Sequence, residues 1–86
     1  MKLQELADKD RFIFKKNLEE MREHIELIKK RENFLINHNE ADVNFACIEG
    51  YIYALSTYGI ITEEEESELI TELIKERYPD SLKEQA

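Results

Sequence analysis

The chain has 86 residues, a length that accommodates one domain with a small core. Charged residues make up 37% of the chain and the formal net charge is -8. Direct nucleic-acid binding is therefore disfavoured, because an acidic surface repels phosphate. The acidity favours a basic protein partner or mimicry of nucleic acid, and the apolar content of 42% excludes a disordered chain.

The cysteine content and the N-terminus indicate the cell compartment. Cys47 has no second cysteine with which to form an intramolecular disulfide. Residues 1–5 contain no apolar signal core, and no stretch approaches the roughly 20 apolar residues of a membrane span. We therefore expect a cytoplasmic protein that does not bind membranes.

Residues 3–36 contain neither glycine nor proline and predict one long N-terminal helix, with a break near residues 8–10. Apolar residues recur in this segment with gaps of 4, 3, 4, 3 and 7. They form a heptad seam that predicts packing against another helix. The seam, as the term is used below, consists of Phe14, Leu18, Met21, Ile25, Ile28 and Leu35.

The polar run at residues 37–40 predicts a turn, since asparagine favours turns and caps. A second helix is expected from about residue 40 to residue 58. One of its faces carries Ala41, Phe45, Ile48, Ile52 and Leu55. The nearly opposite face carries the small residues Val43, Cys47, Gly50 and Ala54. A helix that is apolar on two sides lies at the centre of a bundle or between subunits, so Cys47 is interpreted as a buried structural thiol.

Gly59 predicts the end of the second helix, because glycine tolerates positive φ. Thr62 and Glu65 match a capping box at the start of a third helix. Its apolar face carries Leu69, Ile70, Leu73 and Ile74, and Pro79 predicts an end near residues 77–78. We expect residues 1–78 to form a single helical domain and residues 79–86 to form a flexible tail.

The predicted fold is all-α, with a long N-terminal helix and an antiparallel helical hairpin forming a three-helix bundle that oligomerisation completes. The first helix is nearly twice as long as either partner, so a monomer would leave part of the seam uncovered. We therefore expect a homo-oligomer, most simply a dimer. Its expected interface residues are Phe14, Leu18, Met21, Ile25, Ile28, Val43, Cys47, Gly50 and Ala54.

No pattern of residues indicates an enzyme, a metal site or a cofactor. His24 and His38 do not have the spacing of zinc or di-iron ligands, and the acids of residues 63–66 are typical of a solvated helix start. Tyrosines, by contrast, are frequent in binding surfaces. The candidate protein-binding residues are Glu49, Tyr51, Tyr53, Tyr58, Glu63 and Glu64.

In residues 48–65, one predicted helix ends at Gly59, and Ile61 and Thr62 begin the next helix. The segment is similar to small acidic helical accessory proteins of Gram-positive phages and mobile elements, over about a quarter of the chain. The resemblance implies a small regulator or counter-defence factor that acts by binding. It transfers no active-site residues.

Three hypotheses follow. The leading one is a non-enzymatic helical protein that binds and inhibits a host or phage protein. The second is an oligomeric sponge for a nucleotide-like molecule, held between subunits by the tyrosines with Lys15, Arg22, Lys29 and Arg31. The third is an acidic mimic of nucleic acid that uses residues 63–68 and the outer acids of the first helix.

Overall fold

The computed structural model describes residues 1–79, which form four α-helices and, within that range, no strand. The helices are α1 (Leu3–Lys9), α2 (Ile13–Lys29), α3 (Phe34–Thr57) and α4 (Glu63–Arg77). The all-α prediction is confirmed, but the first predicted helix is two helices and part of a third. Apart from Pro79, the tail predicted at residues 79–86 lies outside the described residues.

The turn between α2 and α3 lies at residues 30–33, so the predicted turn at residues 37–40 is wrong. Arg31 and Asn33 adopt left-handed backbone conformations there, with φ of 59° and 44°. The amide of Asn37 donates hydrogen bonds to the backbone oxygens of Glu32 (2.8 Å) and Asn33 (3.2 Å). Asn37 thus satisfies the preceding turn from within the helix, and α3 begins at Phe34 without interruption by the polar run.

The two other helix boundaries follow the sequence more closely. The first break falls at residues 10–12, next to the predicted residues 8–10. Gly59 has a φ of 72°, after α3 has ended at Thr57. The predicted capping box is confirmed, because Glu65 donates its backbone N–H to Thr62 Oγ1 (3.1 Å) and accepts the Thr62 N–H (3.0 Å).

The core lies between α2, α3 and α4, with α1 packed across α2 and α4. Short connections make α2 and α3, and then α3 and α4, antiparallel neighbours. Apolar side chains from every helix meet in this core, so that one chain buries a continuous cluster. Its buried members are Leu3, Leu6, Ala7, Phe14, Leu18, Met21, Ile25, Ile28, Ala41, Ile48, Ile52, Ile61, Leu69 and Leu73.

The heptad seam is buried within a single chain. Its five α2 residues are between 0% and 4% exposed: Phe14, Leu18, Met21, Ile25 and Ile28. Their assignment to an oligomer interface is therefore wrong, because the other helices of the same chain already cover them. Leu35, the sixth seam residue, is 75% exposed, since the turn at residues 30–33 places it on α3.

Candidate interaction site

Four large apolar side chains are strongly exposed at one end of the bundle. Phe12 is 87% exposed and Ile13 65%, at the start of α2, while Tyr58 is 81% and Ile60 68% exposed, after the end of α3. Because α2 and α3 are antiparallel, both pairs lie toward the same end of the bundle, although Phe14 packs against Tyr51 and Tyr58 therefore lies about 10 Å farther along the α3 axis. These four residues are called the apical patch below. A shallow groove beside it runs between the end of α3 and the start of α4.

Carboxylates border the apical patch. Glu63 and Glu64 are exposed in the first turn of α4, three and four residues after Ile60. Glu65 is held in the capping box, and the Thr62 backbone N–H that donates to it lowers the pKa of this carboxyl. The acids lie where the helix dipole favours negative charge, so their side is acidic. Arg11, which precedes Phe12 in the chain, adds an exposed cation.

The predicted protein-binding tyrosines do not form one surface. Tyr58 lies in the apical patch, whereas Tyr53 lies on the outer side of α3 and is 45% exposed. The Tyr51 ring packs 5.4 Å from the Phe14 ring against the core. Burial, and secondarily the nearby carboxylate of Asp10, raises the pKa of Tyr51. Tyr51 is therefore a packing residue at the edge of the core.

Glu49, another predicted binding residue, is half-buried on α3. Helical spacing places it about 40° from Tyr53 and on the other side of the axis from Tyr51. The structure therefore brings Tyr58, Glu63 and Glu64 together at the apical end. Glu49 and Tyr53 lie farther along α3.

The side of α3 that faces away from the core forms a second apolar surface. We call it the outer face, and it contains no lysine, arginine, aspartate or glutamate. Val43 is 58% and Ile36 64% exposed, and the small residues between them and Thr57 are exposed as well. The outer face consists of Ile36, Asn39, Val43, Ala46, Cys47, Gly50, Tyr53, Ala54 and Thr57.

Cys47 is exposed, so its prediction as a buried thiol is wrong. Ala41, Ile48 and Ile52 face the core on the other side of α3, and no described residue covers the side that carries Cys47. Within residues 1–79, no group of three or more His, Cys, Asp or Glu residues is placed to hold a metal ion. The candidate interaction surfaces of the described residues are therefore apolar.

Arg77 is the most deeply buried charge, with 2% exposure. Its guanidinium donates to Asp42 Oδ1 through Nε (3.0 Å) and Nη2 (2.7 Å), and Nη2 also lies 3.0 Å from His38 Nδ1. Nη1 has no hydrogen-bond partner among the described residues. The pair fastens the C-terminal turn of α4 to α3. Sequence reasoning missed it, although Arg77 follows Leu69 and Leu73 at gaps of four on the buried face of α4.

Two buried asparagines connect α2 to α3. Asn37 Oδ1 lies 2.7 Å from His24 Nδ1, so that His24 Nδ1 carries the donated proton. The Asn44 amide donates to Asn17 Oδ1 (3.0 Å) and to Glu20 (3.2 Å). These bonds fix the register of the two helices. Asn44 Oδ1, by contrast, is buried and has no hydrogen-bond partner among the described residues.

The cations considered for a nucleotide site are engaged elsewhere. Arg22 Nε donates to Glu76 Oε1 at 2.7 Å, and this bond holds the pKa of Arg22 above its ordinary value. Lys15 and Lys29 pair with acids on their own helix, and Arg31 lies in the turn after α2. Within residues 1–79, no contact places these four cations together at one binding site.

Comparison with known proteins assigns no family: no protein-family model matches the chain, and no curated protein or solved structure matches it. Among residues 1–79, no helix has the length and apolar character needed to cross a bilayer. The resemblance to phage and mobile-element proteins stays a prediction. The exposed apolar residues include the apical patch, the outer face, and Phe34 and Leu35 at the start of α3.

Proposed function

We propose that this protein is a non-enzymatic interaction protein that binds another protein, of host or phage origin, and inhibits it by covering a functional surface. The supporting observation is the apical patch, where four large apolar side chains are 65% to 87% exposed beside a core that is already closed. Single exposed apolar residues are ordinary, but a cluster bordered by polar groups is typical of a protein-binding surface.

The chemistry of the patch defines the partner. Phe12, Ile13, Tyr58 and Ile60 match an apolar surface, and Glu63 and Glu64 match basic side chains beside it. Tyr58 also carries a hydroxyl that accepts or donates at the edge of such an interface. The partner is therefore a protein with a shallow apolar depression and lysine or arginine along one rim.

Burial of the patch provides only part of the binding free energy. Each large side chain contributes about 1.5–3 kcal/mol on burial, so four contribute roughly 6–12 kcal/mol. Association itself costs about 4–15 kcal/mol, so the apolar contact alone gives at most a weak complex. The acidic border adds specificity and a faster association rate, as complementary charges do in other interfaces.

The proposal is tested by placing a charge in the patch. Immobilised protein captures a partner from a lysate of Gram-positive bacteria, and the purified partner is titrated calorimetrically with wild type, with Ile60→Glu and with Leu35→Glu. Leu35 and Ile60 are similarly exposed, at 75% and 68%, but they lie at opposite ends of the bundle. We expect Ile60→Glu to raise the Kd at least about tenfold and Leu35→Glu to leave it within about twofold.

Inhibition is measured separately, as the activity of the captured partner at increasing ratios of this protein. Equal Kd values for wild type and Ile60→Glu would show that the apical patch is not the binding surface. A Kd raised equally by both variants would indicate a general loss of folding, which circular dichroism of each variant detects. Full partner activity in the saturated complex would contradict the inhibitory role.

A further inference from the structure

The turn between α2 and α3 and the first turn of α3 project from the bundle. Every residue from 29 to 36 is exposed, including three consecutive apolar residues at the start of α3. Phe34 is 45%, Leu35 75% and Ile36 64% exposed. Three consecutive residues span about 200° of the circumference of an α-helix, so most of this turn faces solvent. We call residues 29–36 the basal tip, because they lie at the end of the bundle away from the apical patch.

The backbone of the basal tip keeps the apolar side chains in this exposed position. Arg31 and Asn33 have φ of 59° and 44°, in the left-handed region that residues other than glycine rarely adopt. The buried Asn37 stabilises the turn, because its amide donates to the backbone oxygens of Glu32 and Asn33. Strained residues of this kind persist only where the surrounding structure fixes them, and they cluster at sites that bind ligands. The exposure of the three apolar residues is therefore a built feature of the turn.

The basal tip is a basic segment of an acidic chain. Three consecutive cations, Lys29, Lys30 and Arg31, precede its apolar residues, and the first turn of α3 contains no acidic residue. Lys29 is paired with Glu26 Oε1 at 3.2 Å, whereas Lys30 and Arg31 form no ion pair among the described residues. Glu32 is the one carboxylate within the tip. The tip therefore combines apolar side chains with cations that are free to bind an anion.

We propose that the basal tip binds the surface of a bilayer that contains anionic phospholipids. Phe34, Leu35 and Ile36 enter the boundary between headgroups and acyl chains, and Lys30 and Arg31 pair with the lipid phosphates. No described helix has the length and apolar character to cross a bilayer, and the tip needs none, because it enters only the boundary region. The proposal departs from the expectation of no membrane binding, which rested on the absence of a spanning segment. It does not depend on the proposed function, since the apical patch lies at the other end of the bundle.

The shape and charge of the molecule favour a bilayer over an acidic protein as the occupant. The longest dimension of the described structure is 40 Å, and surface charges are screened beyond about 8–10 Å at physiological salt. A flat surface that only the tip approaches therefore interacts mainly with Lys30 and Arg31, and less with the carboxylates that give the chain its net charge of -8. Glu40, the first carboxylate of α3, lies about 9 Å behind Phe34 along the helix axis. An acidic protein would have to enclose the projecting tip, which would bring its carboxylates against those of this chain.

The binding should be weak and reversible. Three partly exposed side chains remove less apolar surface from water than one myristoyl chain, which alone binds bilayers with an association constant of about 10⁴ M⁻¹. Each cation close to an anionic surface strengthens binding by about fivefold. We therefore expect half-maximal binding at roughly 0.1–1 mM accessible lipid, and weaker binding as the salt concentration rises.

Flotation with unilamellar vesicles tests the proposal directly. Vesicles of equimolar phosphatidylcholine and phosphatidylglycerol are compared with vesicles of phosphatidylcholine alone, and we expect wild type to bind the anionic vesicles at least about tenfold more tightly. Leu35→Glu should weaken this binding at least about tenfold, and Lys30→Glu at least about fivefold. The matched control is Lys16→Glu, which makes the same change of net charge at a side chain that is 75% exposed near the start of α2. It should leave the binding within about twofold of wild type, because it lies far from the tip.

Tryptophan fluorescence measures whether the tip itself enters the bilayer. The chain contains no tryptophan, so Leu35→Trp and Tyr58→Trp each introduce a single reporter. With anionic vesicles the emission of Leu35→Trp should shift to shorter wavelength, because the indole leaves water. The emission of Tyr58→Trp should not change, because Tyr58 lies at the other end of the bundle. A shift in Tyr58→Trp without a shift in Leu35→Trp would overturn the assignment to the basal tip.

The outcomes separate this proposal from the proposed function. Ile60→Glu should bind vesicles as wild type does, and Leu35→Glu should keep its affinity for the captured partner. Wild type that does not float with anionic vesicles at millimolar lipid would overturn the proposal, and so would equal binding by wild type and Leu35→Glu. An equal loss in Lys30→Glu and Lys16→Glu would show a general effect of net charge and would overturn the role of the tip cations. Loss of affinity for a protein in Leu35→Glu, without vesicle binding by wild type, would show that the tip binds a protein and not a bilayer.

Discussion

Removal of Asp42 should destabilise the fold more than removal of Arg77, although Arg77 is the buried partner of their ion pair. The Arg77 side chain is 2% exposed, whereas that of Asp42 is 57% exposed. In Asp42→Ala the guanidinium stays buried and loses its charged partner, keeping only its neutral contacts with His38 and the Tyr78 ring. In Arg77→Met the remaining carboxylate is already at the surface and is hydrated by solvent.

The exposures give the expected magnitudes. Breaking a fully buried pair costs about 3–5 kcal/mol, and the exposure of Asp42 reduces this to about 2–3 kcal/mol, because water replaces part of its interaction. The higher helix propensity of alanine offsets at most about 0.7 kcal/mol of that loss. Methionine fills much of the volume of the arginine stem, so we expect Arg77→Met to cost no more than about 1 kcal/mol.

Urea unfolding followed by far-UV circular dichroism measures both effects. With a slope of about 1 kcal/mol/M for a chain of this size, the midpoint should fall by about 2 M for Asp42→Ala and by less than about 1 M for Arg77→Met. The slopes themselves should not change. A larger loss for Arg77→Met than for Asp42→Ala would refute the reasoning that the unpaired buried charge dominates.

Three further predictions concern local structure. Thr62→Ala should lower the free energy of unfolding by about 1 kcal/mol in urea titrations, because it removes the cap of α4. Folding lowers the pKa of Glu65, so the ionised carboxylate stabilises the folded chain. This stabilisation is present above the pKa of Glu65 in the unfolded chain and is lost as the pH falls through its pKa in the folded chain. In Glu65→Gln the free energy of unfolding should therefore decrease less steeply at acidic pH. Substitution of the two glycines by alanine should change the thermal stability in opposite directions. Gly59→Ala should destabilise the fold by about 1 kcal/mol, because Gly59 has a φ of 72°. Gly50→Ala should stabilise the dilute monomer by about 0.5–1 kcal/mol, because alanine favours the helix and the added Cβ meets no atom. Equal signs at the two glycines would contradict this account.

Local signals predicted the second half of the chain well. The capping box at Thr62 and Glu65 and the glycine after α3 each act through neighbouring backbone groups, so short sequence patterns define them. The burial of the α2 seam also followed from its spacing. Tyr58, Glu63 and Glu64, three of the six candidate binding residues, lie close together because only five residues separate α3 from α4.

The first half was predicted less well, because its turn and its buried ion pair depend on side-chain hydrogen bonds to residues that are not adjacent in the chain. Asn37 was interpreted as part of a turn at residues 37–40, but its amide donates to the backbone oxygens of Glu32 and Asn33, and the turn lies seven residues earlier, at residues 30–33. The predicted core side of α3 is nevertheless correct, because Ala41, Ile48 and Ile52 are buried, and Cys47 is exposed because no described residue covers the opposite side. The partners of Arg77 lie 35 to 39 residues away, which no local pattern reveals. The exposed Phe12 and Ile13 were missed because the break at residues 10–12 ends the helical periodicity there.

The short connections between consecutive helices have a consequence for the folding rate. The most extensive packing joins α2 to α3, which are separated by four residues, so the mean sequence separation of contacts is low. Chains of this kind fold in microseconds to milliseconds. We expect the α2–α3 hairpin to form the nucleus, and the seven-residue α1 to dock last, since a helix of that length is not stable alone. Amide protons of α1 should therefore exchange with solvent ahead of those in α2.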